Sequence, residues 1–364
     1  AAAVVAHQHA IARQQFEMDR VGVAGDRFVH GVVQHLGDEM MHGALVGAAM
    51  ATVTPEHGQA LTWLGLLAGL LPDLDFLAEL KGKEAAWKLH RILLHGIAPA
   101  FALGGVLVIG AGFLLPLPPG ILAATVFASL TLHLFLDVLT SFGTCLFYPF
   151  SRRRFSLKSH FIVDPVVLGV CVYALWTHQA ALGLVELGAY FLLSWACNAA
   201  AFRLVSKNMQ SGMPANLKYA TITLEPALLA PLRWLVILEN EEHYVFASMN
   251  FFRMGRWQQV ARGDVSLRPL ALRSELLRAV LATFEFPVFR RVEHAGETLF
   301  VLEDVKWWTE RPFRPLAFTA NFAEDAQAGA TLQNIRQGSF FVREGTANAY
   351  LPVPVPLNPP HASQ

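Results

Sequence analysis

Between positions 92 and 151 the chain contains a single Asp, Glu, Lys or Arg, and that residue is Asp137. So long an apolar run does not suit the surface of a soluble domain, and it holds two membrane spans of about 20 residues each. These are 98–115 and 121–139, joined by the tight "PLPPG" at 116–120. Further apolar stretches lie at 60–77, 166–182 and 184–202, and a shorter one at 43–53. The expected fold is an α-helical multi-spanning membrane domain of five to six segments, followed by a small α+β soluble domain.

The expected boundaries follow the change in composition. Residues 1–39 are an N-terminal extension, disordered or upstream of the true start. They show neither a signal peptide nor a fold pattern, and Met18, Met40 and Met41 are alternative starts. Residues 40–204 are the membrane domain, 205–351 a cytoplasmic α+β domain, and 352–364 a Pro-rich mobile tail. The chain is 54% hydrophobic and only 15% charged, which is too apolar for an average soluble protein. Its formal net charge is zero, so no bulk attraction to nucleic acid is expected. Its three cysteines form no CxxC motif and offer no disulfide framework.

Positive charge orients the spans. Lys81, Lys83, Lys88 and Arg91 lie in one loop, Arg152, Arg153, Arg154 and Lys158 in another, and Arg203 and Lys207 after the last span. The alternate loops carry no Lys or Arg. With six segments, the basic loops and both termini are cytoplasmic. The ionisable residues of the spans then gather at that same face: His42, Asp73, Asp75, His90, His95, His133, Asp137 and Asp164.

Charged groups within a membrane are costly and functional by default. His133 and Asp137 are four apart and share one helix face. Imidazole with carboxylate is a ligand set for zinc, with manganese or iron as alternatives. His90 and His95 are five apart, so both reach one site only if a helix begins between them. Pro72 disfavours helix at Leu71, so an extended turn would present Asp73 and Asp75, one to a metal and one to a ligating histidine. Each piece has a plainer reading: a buried His–Asp pair, a helix-ending turn at "PDLD", an N-cap at Asp164 before Pro165. Their convergence at one face is what caps and turns do not explain.

In order, "MHGALVG", "PDLD", "HRILLHG", "HLFLDVLTSFGT", "PFSRRRF" and the late "DP" resemble the motifs of the inner-membrane metal-dependent hydrolase family, the YdjM-like, LexA-regulated group. The likeness covers roughly residues 40–204. Met41, Leu94 and Gly96 stand where that family has Thr, Thr and Ser, but the histidines beside them are present. The resemblance implies a membrane-embedded hydrolase with one or two divalent ions. The expected metal ligands are His42, Asp73, His90, His95, His133 and Asp137. Asp75 and Asp164 are expected to ligate, to orient a ligating histidine or, for Asp75, to act as base. Arg91 and the run 152–154 are candidates to receive a phosphate, although the run is first of all a topology signal. A site at the inner leaflet suits a membrane lipid or a phosphorylated lipid-like substrate, cleaved at a phosphoester or ester. A metal or proton transporter and a non-catalytic scaffold are the rival readings.

In the tail, "RWLVILEN" and "HYVFASMNFF" predict a hairpin around Glu241–Glu242. Residues 272–284 predict an amphipathic helix of three to four turns. Residues 286–308 predict a second hairpin turning at Ala295–Gly296, and "RPLAFTANF" a further strand.

Overall fold

The computed structural model describes residues 41–81, 89, 91–160, 164–212, 221–227, 232–294, 297–307, 313–325, 329–341 and 355–356. The expected extension 1–39 and His90 lie outside the described residues.

Among the described residues the first half has these main helices: α1 (Met41–Met50), α2 (Gly58–Leu70), α3 (Ile97–Leu114), α4 (Pro119–Leu139), α5 (Pro165–Trp176) and α6 (Ala180–Gly212). Three of them, α3, α4 and α6, are long and apolar enough to cross a bilayer. The others fall short of the expected spans. At 1.5 Å per residue, α1, α2 and α5 measure about 15–20 Å against a hydrocarbon core of about 30 Å. Pro72 marks where α2 gives out, and the chain continues as a 3₁₀ helix, Pro72–Lys81, rather than the extended turn expected there.

The central helix is α4: half of its most apolar window is buried, against 17% for α3 and 22% for α6. On one side Leu122, Val126 and Leu130 pack with Leu61, Leu64 and Ala68 of α2 and Ala111 of α3. On the other, Leu136 and Leu139 pack with Leu45 of α1, Val167 and Cys171 of α5, and Leu187 and Phe191 of α6. Two buried hydroxyls inside α4 are satisfied locally. Thr125 and Ser129 each donate to the carbonyl four residues back, at 2.9 Å. The outer faces stay apolar; Val106, Ile109 and Phe113 of α3 are 65%, 64% and 86% exposed, as lipid-facing side chains are.

Helices α1 and α2 touch through glycines. A Cβ on Gly43 would collide with the Gly65 carbonyl, and one on Gly47 with that of Leu61. Gly43 and Gly47, like Gly65 and Gly69, are four apart, the small-residue spacing that brings membrane helices to backbone contact.

The second half is an antiparallel β domain with short helices. Its first sheet orders β1 (Thr221–Pro226), β2 (Arg233–Glu239), β3 (His243–Asn250), β5 (Gln258–Ala261) and β10 (Val355–Pro356), with β4 (Arg253–Met254) paired to β3. The second orders β6 (Pro287–His294), β7 (Glu297–Asp304), β8 (Phe313–Asp325) and β9 (Gly329–Phe341). Both expected hairpins form. In the first, the Asn240 side chain accepts from the N–H of Glu242 and His243, at 3.0 and 2.6 Å. The expected helix 272–284 is shorter: α7 (Arg268–Ala271) stops, Ser274 caps, and α8 (Glu275–Leu281) makes two turns. The tail expected to be mobile contributes β10, whose Val355 pairs with Gln259.

Strands β2 and β3 are buried on both faces. With period two, Val236, Leu238, Val245 and Met249 turn toward Ala201 and Val205 of α6, while Leu235, Ile237, Tyr244 and Phe246 face Phe286, Val288 and Val305 beside the second sheet. Helix α6 therefore runs through the boundary expected at 204, and its Ala201 and Val205 pack in the core of the second half.

Candidate metal centre

His133 and Asp137 project from the last turns of α4, and both are buried. The 3₁₀ geometry after Pro72 turns Asp73 and Asp75 inward and leaves Leu74 between them exposed. His95 is fully buried in the irregular stretch before α3, whose N-cap is Gly96. The helix expected to begin between His90 and His95 thus begins after both.

Four side chains converge. His95 Nε2 lies 3.3 Å from Asp73 Oδ1 and 3.2 Å from Asp137 Oδ2, and His133 Nε2 lies 3.6 Å from Asp137 Oδ2. One ligand atom each from Asp73, His95 and His133 falls within 4.8 Å of the other two. Both rings are held from behind. The Nδ1 of His133 lies 2.7 Å from the Gly69 carbonyl, and that of His95 lies 3.0 Å from Asp75 Oδ2. Those partners only accept, so each Nδ1 donates, and in a neutral ring that leaves the Nε2 lone pair to the centre.

Arg91 ties the surroundings together. Its backbone N–H donates to Asp75 Oδ2 at 3.1 Å, and its guanidinium reaches Asp137 Oδ1 at 2.8 Å and Thr140 Oγ1 at 2.9 Å. Thr140 in turn donates to the Asp137 carbonyl at 2.8 Å, closing α4. Arg91 has a left-handed φ of 60°, a conformation a non-glycine residue adopts only when its surroundings hold it. Its carbonyl accepts from the Cys145 N–H at 3.2 Å. The guanidinium expected to meet a phosphate is thus engaged by Asp137 and Thr140.

The donor set fits a divalent cation. Three buried carboxylates, Asp73, Asp75 and Asp137, stand around two imidazoles whose rings are held from behind. Imidazole nitrogen and carboxylate oxygen are the ligands of zinc sites, with bonds of about 2.0–2.2 Å.

One expected residue has both oxygens committed elsewhere. Asp164 caps α5, accepting from the Val166 N–H at 2.9 Å, and its other oxygen accepts from the Tyr190 hydroxyl at 2.6 Å. His42 is buried on α1, one residue before Gly43, which packs on Gly65 and Gly69 of α2. Gly69 is the partner of His133, so the glycine contact brings α1 to the rear of the centre. Thr140, which follows the His133–Asp137 turn, has the helix-ending role its position suggests. Gly69 was not anticipated from the sequence; the paired G-x-x-x-G spacings were its only sign.

A helical membrane domain with a buried His/Asp centre at one end, continuous with a β domain, is the class these features define. Residues 37–208 match the model of the YdjM inner membrane protein family. No curated protein and no solved structure matches.

Proposed function

We propose that this protein is a metal-dependent hydrolase that cleaves a phosphoester or ester of a lipid-like substrate at the cytoplasmic face of the inner membrane. The observation carrying this reading is the convergence of Asp73, His95 and His133 within 4.8 Å, each ring fixed by an acceptor behind it. Asp73, His95 and His133 would hold the ion, with Asp137 Oδ2 as a further ligand or as the acceptor of a proton. A bound divalent ion supplies an activated water and charge stabilisation for the substrate oxygen. The chain's own residues do the rest: Asp75 orients His95, Gly69 orients His133, and Arg91 holds Asp137 in place. The surrounding apolar helices exclude bulk water. Zinc suits the ligand set best. The basic loops support a cytoplasmic centre, and five or six membrane segments require the short helices α1, α2 and α5 to enter the bilayer.

Metal content of the detergent-purified chain, measured by elemental mass spectrometry, tests this reading. One or two equivalents of a transition metal are expected in the wild type and none in a folded His133→Ala/Asp137→Ala variant. A wild type that stays metal-free after metal is added back sinks it. Metal-loaded protein is then screened for phosphate release from phospholipids and lipid phosphates.

A further inference from the structure

The β domain touches the membrane domain beside the centre, through Lys158 and Lys306. Lys158 lies in the loop that closes α4. The N–H groups of Leu157 and Ser159 donate to the carbonyls of Val138 and Leu139, at 2.7 and 2.9 Å, and Asn198 of α6 donates to the Lys158 carbonyl at 2.9 Å. These bonds hold Lys158 at a left-handed φ of 50°. Its side chain crosses into the β domain. There Nζ stands 2.7 Å from Glu225 Oε1 at the end of β1 and 2.7 Å from Glu285 Oε2 just before β6. Glu225 is only 2% exposed, so this carboxylate is committed to the junction.

The second contact reaches the centre itself. Asp304, fully buried, accepts from the N–H of Glu285 at 2.8 Å, of Phe286 at 3.3 Å and of Lys306 at 3.0 Å. One carboxylate thus fixes both segments that face the membrane domain. Lys306 Nζ lies 4.9 Å from the Phe142 ring centroid, and Arg91 Cζ lies 5.4 Å from the same centroid. Arg91 is the residue that grips Asp137. A short path therefore joins the β domain to each side of the centre: Lys158 to the end of α4, and Lys306 through Phe142 to Arg91.

We propose that the β domain is a lid on the membrane centre, latched by Lys158 between Glu225 and Glu285 and seated by Lys306 on Phe142. This rests on the metal reading only for what the lid encloses. With the latch closed, exchange between the centre and the aqueous phase is slow. With it open, Phe142 is uncovered and Arg91 is freer to move.

The test uses the full chain in detergent, with Cys145, Cys171 and Cys197 replaced by alanine and a Phe142→Cys/Lys306→Cys pair added. A short thiol-reactive crosslinker should join the pair readily. Adding Glu225→Gln/Glu285→Gln should lower the crosslink yield about tenfold, with the circular dichroism spectrum unchanged. After zinc loading, the crosslinked chain should release zinc to a chelator about tenfold more slowly than the same chain with the crosslink reduced. A yield indifferent to the glutamines overturns the latch, and equal release rates overturn the lid. If no zinc is taken up, the metal reading fails, and the crosslink yields still decide the latch.

Discussion

Two clusters of buried charge lie close together in this chain and are built differently. At the end of α4, Asp73, Asp75 and Asp137 stand with two imidazoles, and ring nitrogens and carboxylate oxygens converge on one point. At the junction, Glu225 and Glu285 close on the amine of Lys158, with Lys306 nearby. The first cluster presents a mixed nitrogen and oxygen donor set, and the second is an ion pair. Carboxylates alone do not mark a site; ring nitrogens oriented among them do.

The largest expected effect breaks the first cluster and spares the second. Asp73→Asn should lower metal affinity by about 100-fold or more, since it removes a ligand rather than an orienting partner. Glu225→Gln should leave metal stoichiometry unchanged. Elemental analysis after dialysis against a chelator series reads both. Asp75→Asn should fall between them, about 10–100-fold weaker, because it loosens His95 without removing a ligand.

Metal removal sharpens the comparison through stability. An ion that binds only the folded state adds about 2.7 kcal/mol at 100 times its Kd. Chelation should therefore lower the melting temperature of the wild type and leave that of His133→Ala/Asp137→Ala unmoved.

The junction should respond to pH instead. Burial raises Glu225 from its ordinary 4.5 to about 7, against the opposing pull of Lys158 and Lys306 and with Glu285 adding to the rise. For Glu285, burial pushes up, but Lys158 and Lys306 outweigh it and hold the carboxyl below its usual range. For Lys158, burial pulls down, and Glu225 and Glu285 outweigh it, holding the amine above its usual range. A raised carboxyl favours the docked state at low pH and is lost as pH rises through 7. A lowered carboxyl favours it above 4.5 and is lost below. Docking should therefore be tightest near pH 4.5 and loosen progressively as pH rises to 7. Spin labels on Arg153→Cys and Glu242→Cys should show a distance distribution that broadens from pH 5 to pH 7. A distribution unchanged over that range would contradict the assignment.

The smallest effects concern glycines. Gly65→Ala should cost about 1–3 kcal/mol by overpacking, because its new Cβ meets backbone that cannot turn aside. Gly105→Ala, with nothing within 4 Å, should be neutral or slightly stabilising. Thermal melts in detergent separate the two.

The first cluster was legible in the sequence because a membrane segment is nearly silent. Against that background, His133, Asp137, Asp73 and His95 are conspicuous and their order places them at one face. Their division of labour was not legible: Asp75 behind His95, or Arg91 spent on Asp137, depends on a 3₁₀ turn and a left-handed residue that no periodicity announces. The short spans were over-extended because hydropathy counts apolar residues and does not see where a residue such as Pro72 ends a helix. In the β domain the hairpins were visible through alternation, whereas β9, rich in Gly and Gln, has no such pattern. Lys158 was read only as a topology signal, since its partners lie 67 and 127 residues away.

Helix α6 has 33 residues, about 50 Å at 1.5 Å per residue, so it outlasts a bilayer core of about 30 Å by several turns. Seated in two cores without a break, it works as a keyed shaft. One residue inserted near 203 would swing everything beyond it by about 100°, carrying Glu225 away from Lys158. Three or four inserted residues would nearly restore the angle and leave an axial gap of about 5 Å. Length changes at this joint are thus confined to whole turns, and the two halves can drift apart in sequence far more easily than in phase.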